Sequence, residues 1–186
     1  YPYPLNDNMT RTRKNVTYKA LFLENEYVKV CVLPEIGGRL FYAIDKTNGY
    51  DIFYHQDVIK PANVGMNGAW ISGGVEWNVF HHHRVTSHSP VDYKITENKD
   101  GSKTIWVGET EWRHRMSWAI GVTLFPGKSY MQIDGRLANT TKNSNSILFW
   151  ANASTHCNDD YQIIFPQNTE FGTFHCKSSF CRWPIT

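Results

Sequence analysis

The chain has 186 residues, of which 41% are hydrophobic and 19% charged, with Lys plus Arg at 19 and Asp plus Glu at 17. Such a composition can build a globular core, and the interspersed, nearly balanced charges exclude the basic stripe that nucleic acid needs. The longest uninterrupted apolar stretch, Ile147-Leu148-Phe149-Trp150-Ala151, is far short of the roughly 20 residues of a spanning helix, so no membrane span is expected.

Period-two alternation recurs along the chain, and no window of a dozen residues carries a sustained helical stripe. The alternation predicts strands, in order, over Val16 to Glu24, Tyr27 to Leu33, Arg39 to Asp45, Val91 to Glu97, Lys103 to Trp112, Trp118 to Phe125, Ser129 to Asn139, Ser146 to Ser154 and Tyr161 to Phe165. Within these, Val28, Val30 and Val32 share one face, as do Met131, Ile133 and Leu137. Polar, Gly-bearing links such as Lys46-Thr47-Asn48-Gly49 and Asn98-Lys99-Asp100-Gly101-Ser102 are the turns that hairpins use. Closely spaced strands without intervening helices point to an antiparallel sandwich or barrel.

Residues 61 to 90 break this rhythm. They include Gly68-Ala69-Trp70-Ile71-Ser72-Gly73-Gly74-Val75-Glu76-Trp77-Asn78, then His81-His82-His83. With this many glycines the segment is expected to be an ordered binding loop rather than a strand pair. With no linker or repeat in the chain, 1–186 is expected to be a single β-sandwich domain.

Several residues invite a chemical reading. An aromatic ring with polar neighbours suits the C–H face of a sugar, which singles out Trp70 and Trp77 in the Gly-rich segment; a place in the core is the competing reading. Glu76 lies between apolar neighbours, where burial can tune a carboxylate, while a solvated or ion-paired glutamate is the alternative. Histidine titrates near neutrality, so His83 is a candidate acid or base, weighed against an ordinary hydrogen-bonded histidine. Arg39 follows Gly37-Gly38 and offers a five-donor fork for sugar hydroxyls or a structural ion pair. Trp150, Asn152 and His156 share a face if their strand stays regular, and Asn78 adds an amide beside Glu76. Consecutive histidines match no standard metal spacing, so no metal ligand and no cofactor are assigned, although a histidine-cluster metal site stands as an alternative. The four cysteines lack any Cys-x-x-Cys spacing, and a Cys176–Cys181 bridge stays open.

Leu23-Glu24-Asn25-Glu26-Tyr27, Val32 through Leu40, Ile59-Lys60-Pro61, Gly68 through Asn78, Phe149-Trp150-Ala151-Asn152 and Ile164-Phe165-Pro166 together resemble the bacterial domain-of-unknown-function family 5107. That resemblance implies a galactose-mutarotase-like supersandwich, in Bacteroides-type bacteria and often within long proteins with helical repeats. Because that fold takes roughly 250 to 300 residues, the chain is expected to be the N-terminal part of a longer domain, an incomplete fragment. The family's fold further implies sugar handling, with the catalytic base of aldose epimerases lying beyond this sequence. The expected function is therefore mono- or oligosaccharide binding, with acid–base chemistry from Glu76, His83 and His156 and substrate contacts from Arg39, Trp70, Trp77, Asn78, Trp150 and Asn152. The alternative is a non-catalytic structural or interaction module. Export to the periplasm or beyond, and association as a homodimer or with neighbouring domains, are the accompanying expectations.

Overall fold

The computed structural model describes residues 2–4, 6–7, 9–64, 68–80, 83–173 and 179–183. The chain divides into two compact units, Tyr1–Thr155 and His156–Thr186. The described residues form no helix, hence none long and apolar enough to cross a membrane.

Strands of the first unit are β1 (Leu21–Glu24), β2 (Val28–Leu33), β3 (Arg39–Asp45), β4 (Tyr50–Asp51), β5 (Ala62–Val64), β6 (Gly68–Trp70), β7 (Val75–Val79), β8 (Asp92–Glu97), β9 (Lys103–Glu111), β10 (Met116–Leu124), β11 (Met131–Asn139) and β12 (Phe149–Ala153). One antiparallel sheet has the order β1-β2-β3-β7-β12, with β4 beside β3, and a second has the order β11-β10-β9-β8. Strands β5 and β6 form a separate ribbon. Val30, Leu40, Trp77 and Val79 of the first sheet join Ile105, Val107, Ile120 and Val122 of the second in one buried cluster, so the two sheets face each other as a sandwich. The all-β antiparallel expectation holds. In the second unit, β13 (Phe171–Thr173) pairs with β14 (Phe180–Arg182).

Three expectations need correction. The segment 61–90 is no single loop: it contains β5, β6 and β7, and β7 sits between β3 and β12. Every residue of β7 is buried; its sequence, Val75-Glu76-Trp77-Asn78-Val79, does alternate apolar with polar, but the Gly-rich stretch before it reads as loop. The stretch Val16 to Glu24 becomes a strand only from Leu21, and Tyr161 to Phe165 forms none. Ile163 and Ile164 are in fact exposed; an apolar run becomes a strand only where a neighbour supplies the ladder.

Glycine fixes how β7 enters the sheet. Gly73 and Gly74 have φ values of 103° and 65°, and a Cβ on Gly74 would overlap the carbonyl oxygen of Leu40. This close approach lets Leu40 pair with Val75, the register that joins β3 to β7.

Candidate functional site

Alternation along β7 divides its side chains between two faces. Val75, Trp77 and Val79 enter the core between the sheets, leaving Glu76 and Asn78 on the face turned away from the second sheet. Asn152 pairs with Glu76, and Trp150 with Asn78, across the β7–β12 ladder. Arg39, at the start of β3, brings its guanidinium to the same face.

Phe80 then reverses the chain. Its φ of 61° is positive, an uncommon conformation for an aromatic residue, and its ring is completely buried. The reversal returns His83 to Glu76, seven residues back, with Nδ1 2.9 Å from Oε2. A carboxylate oxygen accepts here, so Nδ1 carries the proton. The imidazole also meets the Trp150 ring edge-on at 5.8 Å between centroids.

Oε2 of Glu76 accepts two more hydrogen bonds, from Asn78 Nδ2 at 3.0 Å and Asn152 Nδ2 at 3.3 Å. Its other oxygen, Oε1, lies 3.8 Å from Arg39 Nη2 and has no hydrogen-bond partner. Arg39 donates through Nη1 to Gly73 O at 2.5 Å, while its Nε and Nη2 stay unbonded. Asn78 Oδ1 is unbonded too. Burial, offset only in part by Glu76 and reinforced by the like charge of nearby Arg84, pushes the Arg39 guanidinium down to about 10. Buried polar atoms are nearly always paired, so four orphaned ones in one cluster set it apart from the other described residues.

Arg84 forms the contrasting case beside it. Its Nε donates to Trp77 O at 2.7 Å, Nη1 to Thr86 Oγ1 and Glu109 Oε1, and Nη2 to Gly37 O at 2.6 Å. The guanidinium also lies 4.2 Å from the centre of the Trp118 ring. Every nitrogen is used, so this residue is structural.

The structure therefore brings together Arg39, Glu76, Asn78, His83, Trp150 and Asn152. It does not bring Trp77 to this face: the indole is 3% exposed and donates to Gly38 O at 3.0 Å from within the core, as expected for an odd-numbered side chain of β7. Trp70 stands on the β5–β6 ribbon, partly exposed. His156 lies beyond the end of β12 at Ala153 and belongs to the second unit, so the regular strand that would have aligned it with Asn152 stops short. Among the described residues no three His, Cys, Asp or Glu side chains converge as metal ligands; His81, His82 and Cys176 lie outside the described residues.

A wider cleft of about 520 Å3 opens on the outward face of the second sheet, lined by Thr104, Trp106, Gln132 and Asp134 among others. Its polar groups bond one another, as Asn98 does Ser102 and Thr104, and Arg136 lies over the Trp106 ring at 4.3 Å. It lacks the unmet demand that distinguishes the Glu76 cluster.

The family model for a domain of unknown function, DUF5107, matches residues 1–186. The chain belongs to the DUF5107 family. The DUF5107 chain is also similar in structure to a crystallised TPR-domain containing protein from Parabacteroides distasonis, with 26% identity and a TM-score of 0.72 over 76% of this chain. The match covers 24% of that protein, so this DUF5107 chain spans about a quarter of its length.

Proposed function

We propose that this DUF5107 domain binds a saccharide at the Glu76 cluster and moves protons at it through His83. The observation that carries this reading is the set of orphaned buried atoms. Arg39 Nε and Nη2 demand acceptors, while Glu76 Oε1 and Asn78 Oδ1 demand donors. These atoms are shut off from solvent, so a ligand reaches them only if the cluster opens; a hydroxyl, which both donates and accepts, would then answer such a set. The Trp150 ring and the partly exposed His83 supply the aromatic edge and the reactive nitrogen.

In this arrangement Glu76 is a positioning residue. Its side chain is only 2% exposed, against 22% for His83, and it holds Nδ1–H, which leaves Nε2 for a ligand, the orienter-and-base logic of acid–base catalysis. Opening a cyclic sugar removes a proton from the anomeric hydroxyl and adds one to the ring oxygen; His83 Nε2 takes the first, and solvent supplies the second. Glycoside hydrolysis would need two carboxylates flanking the bond, and Glu109 is already held by Arg84, Thr86 and Trp118. A supersandwich of the mutarotase kind agrees with this reading.

The test is calorimetry on a panel of monosaccharides, with anomer exchange followed by NMR. Arg39→Ala should lose binding, whereas His83→Gln should keep affinity within a few-fold and lose exchange. Absence of binding to any sugar by the wild-type protein would replace this reading with that of a structural module.

A further inference from the structure

Trp112, at the tip of the β9–β10 hairpin, is 64% exposed yet firmly held. The Tyr3 ring stacks on it with centroids 5.4 Å apart and planes within 10°, and the Trp112 backbone N–H donates to the Tyr3 hydroxyl at 2.8 Å. The tip itself is braced by buried Glu111, whose carboxylate accepts from Arg113 Nε at 2.9 Å and from the His114 backbone N–H at 2.6 Å. Arg115, with a φ of 53°, closes the turn. One indole face is thus backed by Tyr3, and the ring is presented without the entropy of ordering it on binding.

The position of this platform relates it to the Glu76 cluster. The His114 ring lies 6.5 Å from the Phe80 ring, and Phe80 is the residue whose positive φ sends the chain back to His83. The hairpin tip therefore packs, through His114, against the residue three before His83.

We infer that Trp112, backed by Tyr3, is an outer subsite for a second pyranose ring, and that the ligand is an oligosaccharide rather than a single sugar. This rests on the saccharide reading of the Glu76 cluster. The chemistry around the ring favours a sugar over a protein partner. Trp112 is followed in the hairpin by Arg113, His114 and Arg115, so the flat apolar ring stands on a polar hairpin, the kind of surface that suits a pyranose with its C–H face and hydroxyl edge. A protein interface of useful size needs an apolar core of several residues, and the tip offers a single ring.

The experiment titrates linear hexasaccharides of glucose, mannose, xylose and galacturonic acid, and the matching monosaccharides, into the wild-type protein and the variants Trp112→Ala, Trp112→Phe and Arg39→Ala. The expected result is that Trp112→Ala weakens the bound hexasaccharide at least tenfold and leaves its monosaccharide unchanged, with Trp112→Phe staying within about threefold of wild type. Equal hexasaccharide affinity in Trp112→Ala and wild type, while Arg39→Ala abolishes binding, overturns the outer subsite and leaves the inner site standing. Equal weakening of both ligands in Trp112→Ala makes Trp112 a structural clasp for the N-terminal segment and also overturns the proposal. Wild-type protein that binds none of these sugars overturns both readings.

Discussion

Arg84 and Arg39 are both buried arginines with one nearby carboxylate each, yet they make opposite uses of it. Arg84 satisfies every nitrogen within the fold, whereas Arg39 leaves two unbonded beside a carboxylate 3.8 Å away. Removing one partner from a fully bonded buried pair typically costs about 3–5 kcal/mol, so Arg84→Met should lower unfolding stability by that amount. Arg39→Met should cost distinctly less, about 1–2 kcal/mol, because the fold already bears the desolvation of a poorly satisfied charge. Urea unfolding of both variants decides it. Equal losses would make Arg39 structural and withdraw the main support for a ligand at Glu76.

Elements such as β2 were legible in the sequence because Val28, Val30 and Val32 all turn to the core between the sheets, and its start differs from the predicted Tyr27 by one residue. β7 alternates as well, as Val75-Glu76-Trp77-Asn78-Val79, but was hidden by the two glycines that precede it. Those glycines read as loop, but their reason is close packing against β3. Gly74→Ala tests this at the scale of the strand. The new Cβ would meet Leu40 O and the backbone of Phe41, and a positive φ adds about 1–2 kcal/mol for an L-residue. A stability loss above about 2 kcal/mol is expected in urea unfolding, together with weaker saccharide binding, since displacing β7 from β3 separates Glu76 from Arg39. A variant as stable as wild type would show that β7 has room to move. Glu76 itself was legible as a residue of interest, and Trp77 was misplaced for a simple reason: neighbours along a strand point to opposite faces, so a loop reading that grouped them lost the information that separates site from core.

Across the whole of the first unit, apolar residues on the core-facing side extend past the point where they are covered. Ile133 pairs with Val122 and Leu137 with Trp118, and directly paired residues share a face. Val122 and Trp118 are buried at 0% and 2%, while Ile133 and Leu137 are 41% and 39% exposed. On the first sheet Phe149 pairs with buried Val79 and is 41% exposed. Among the described residues β11 and β12 are the last strands of their sheets, so each sheet there ends in a strand with exposed apolar side chains and an outer edge that no described strand pairs. Such edges recruit further strands or a second chain. The chain should therefore self-associate with rising concentration, as light scattering coupled to size exclusion would show, and the double substitution Ile133→Ser with Leu137→Ser should return it toward monomer. The substitutions lie on exposed positions, so folding should survive them. A wild-type chain that stays monomeric at high concentration would mean that exposed apolar area at β11 is too small, or too broken by Gly135 between its two large residues, to hold a partner.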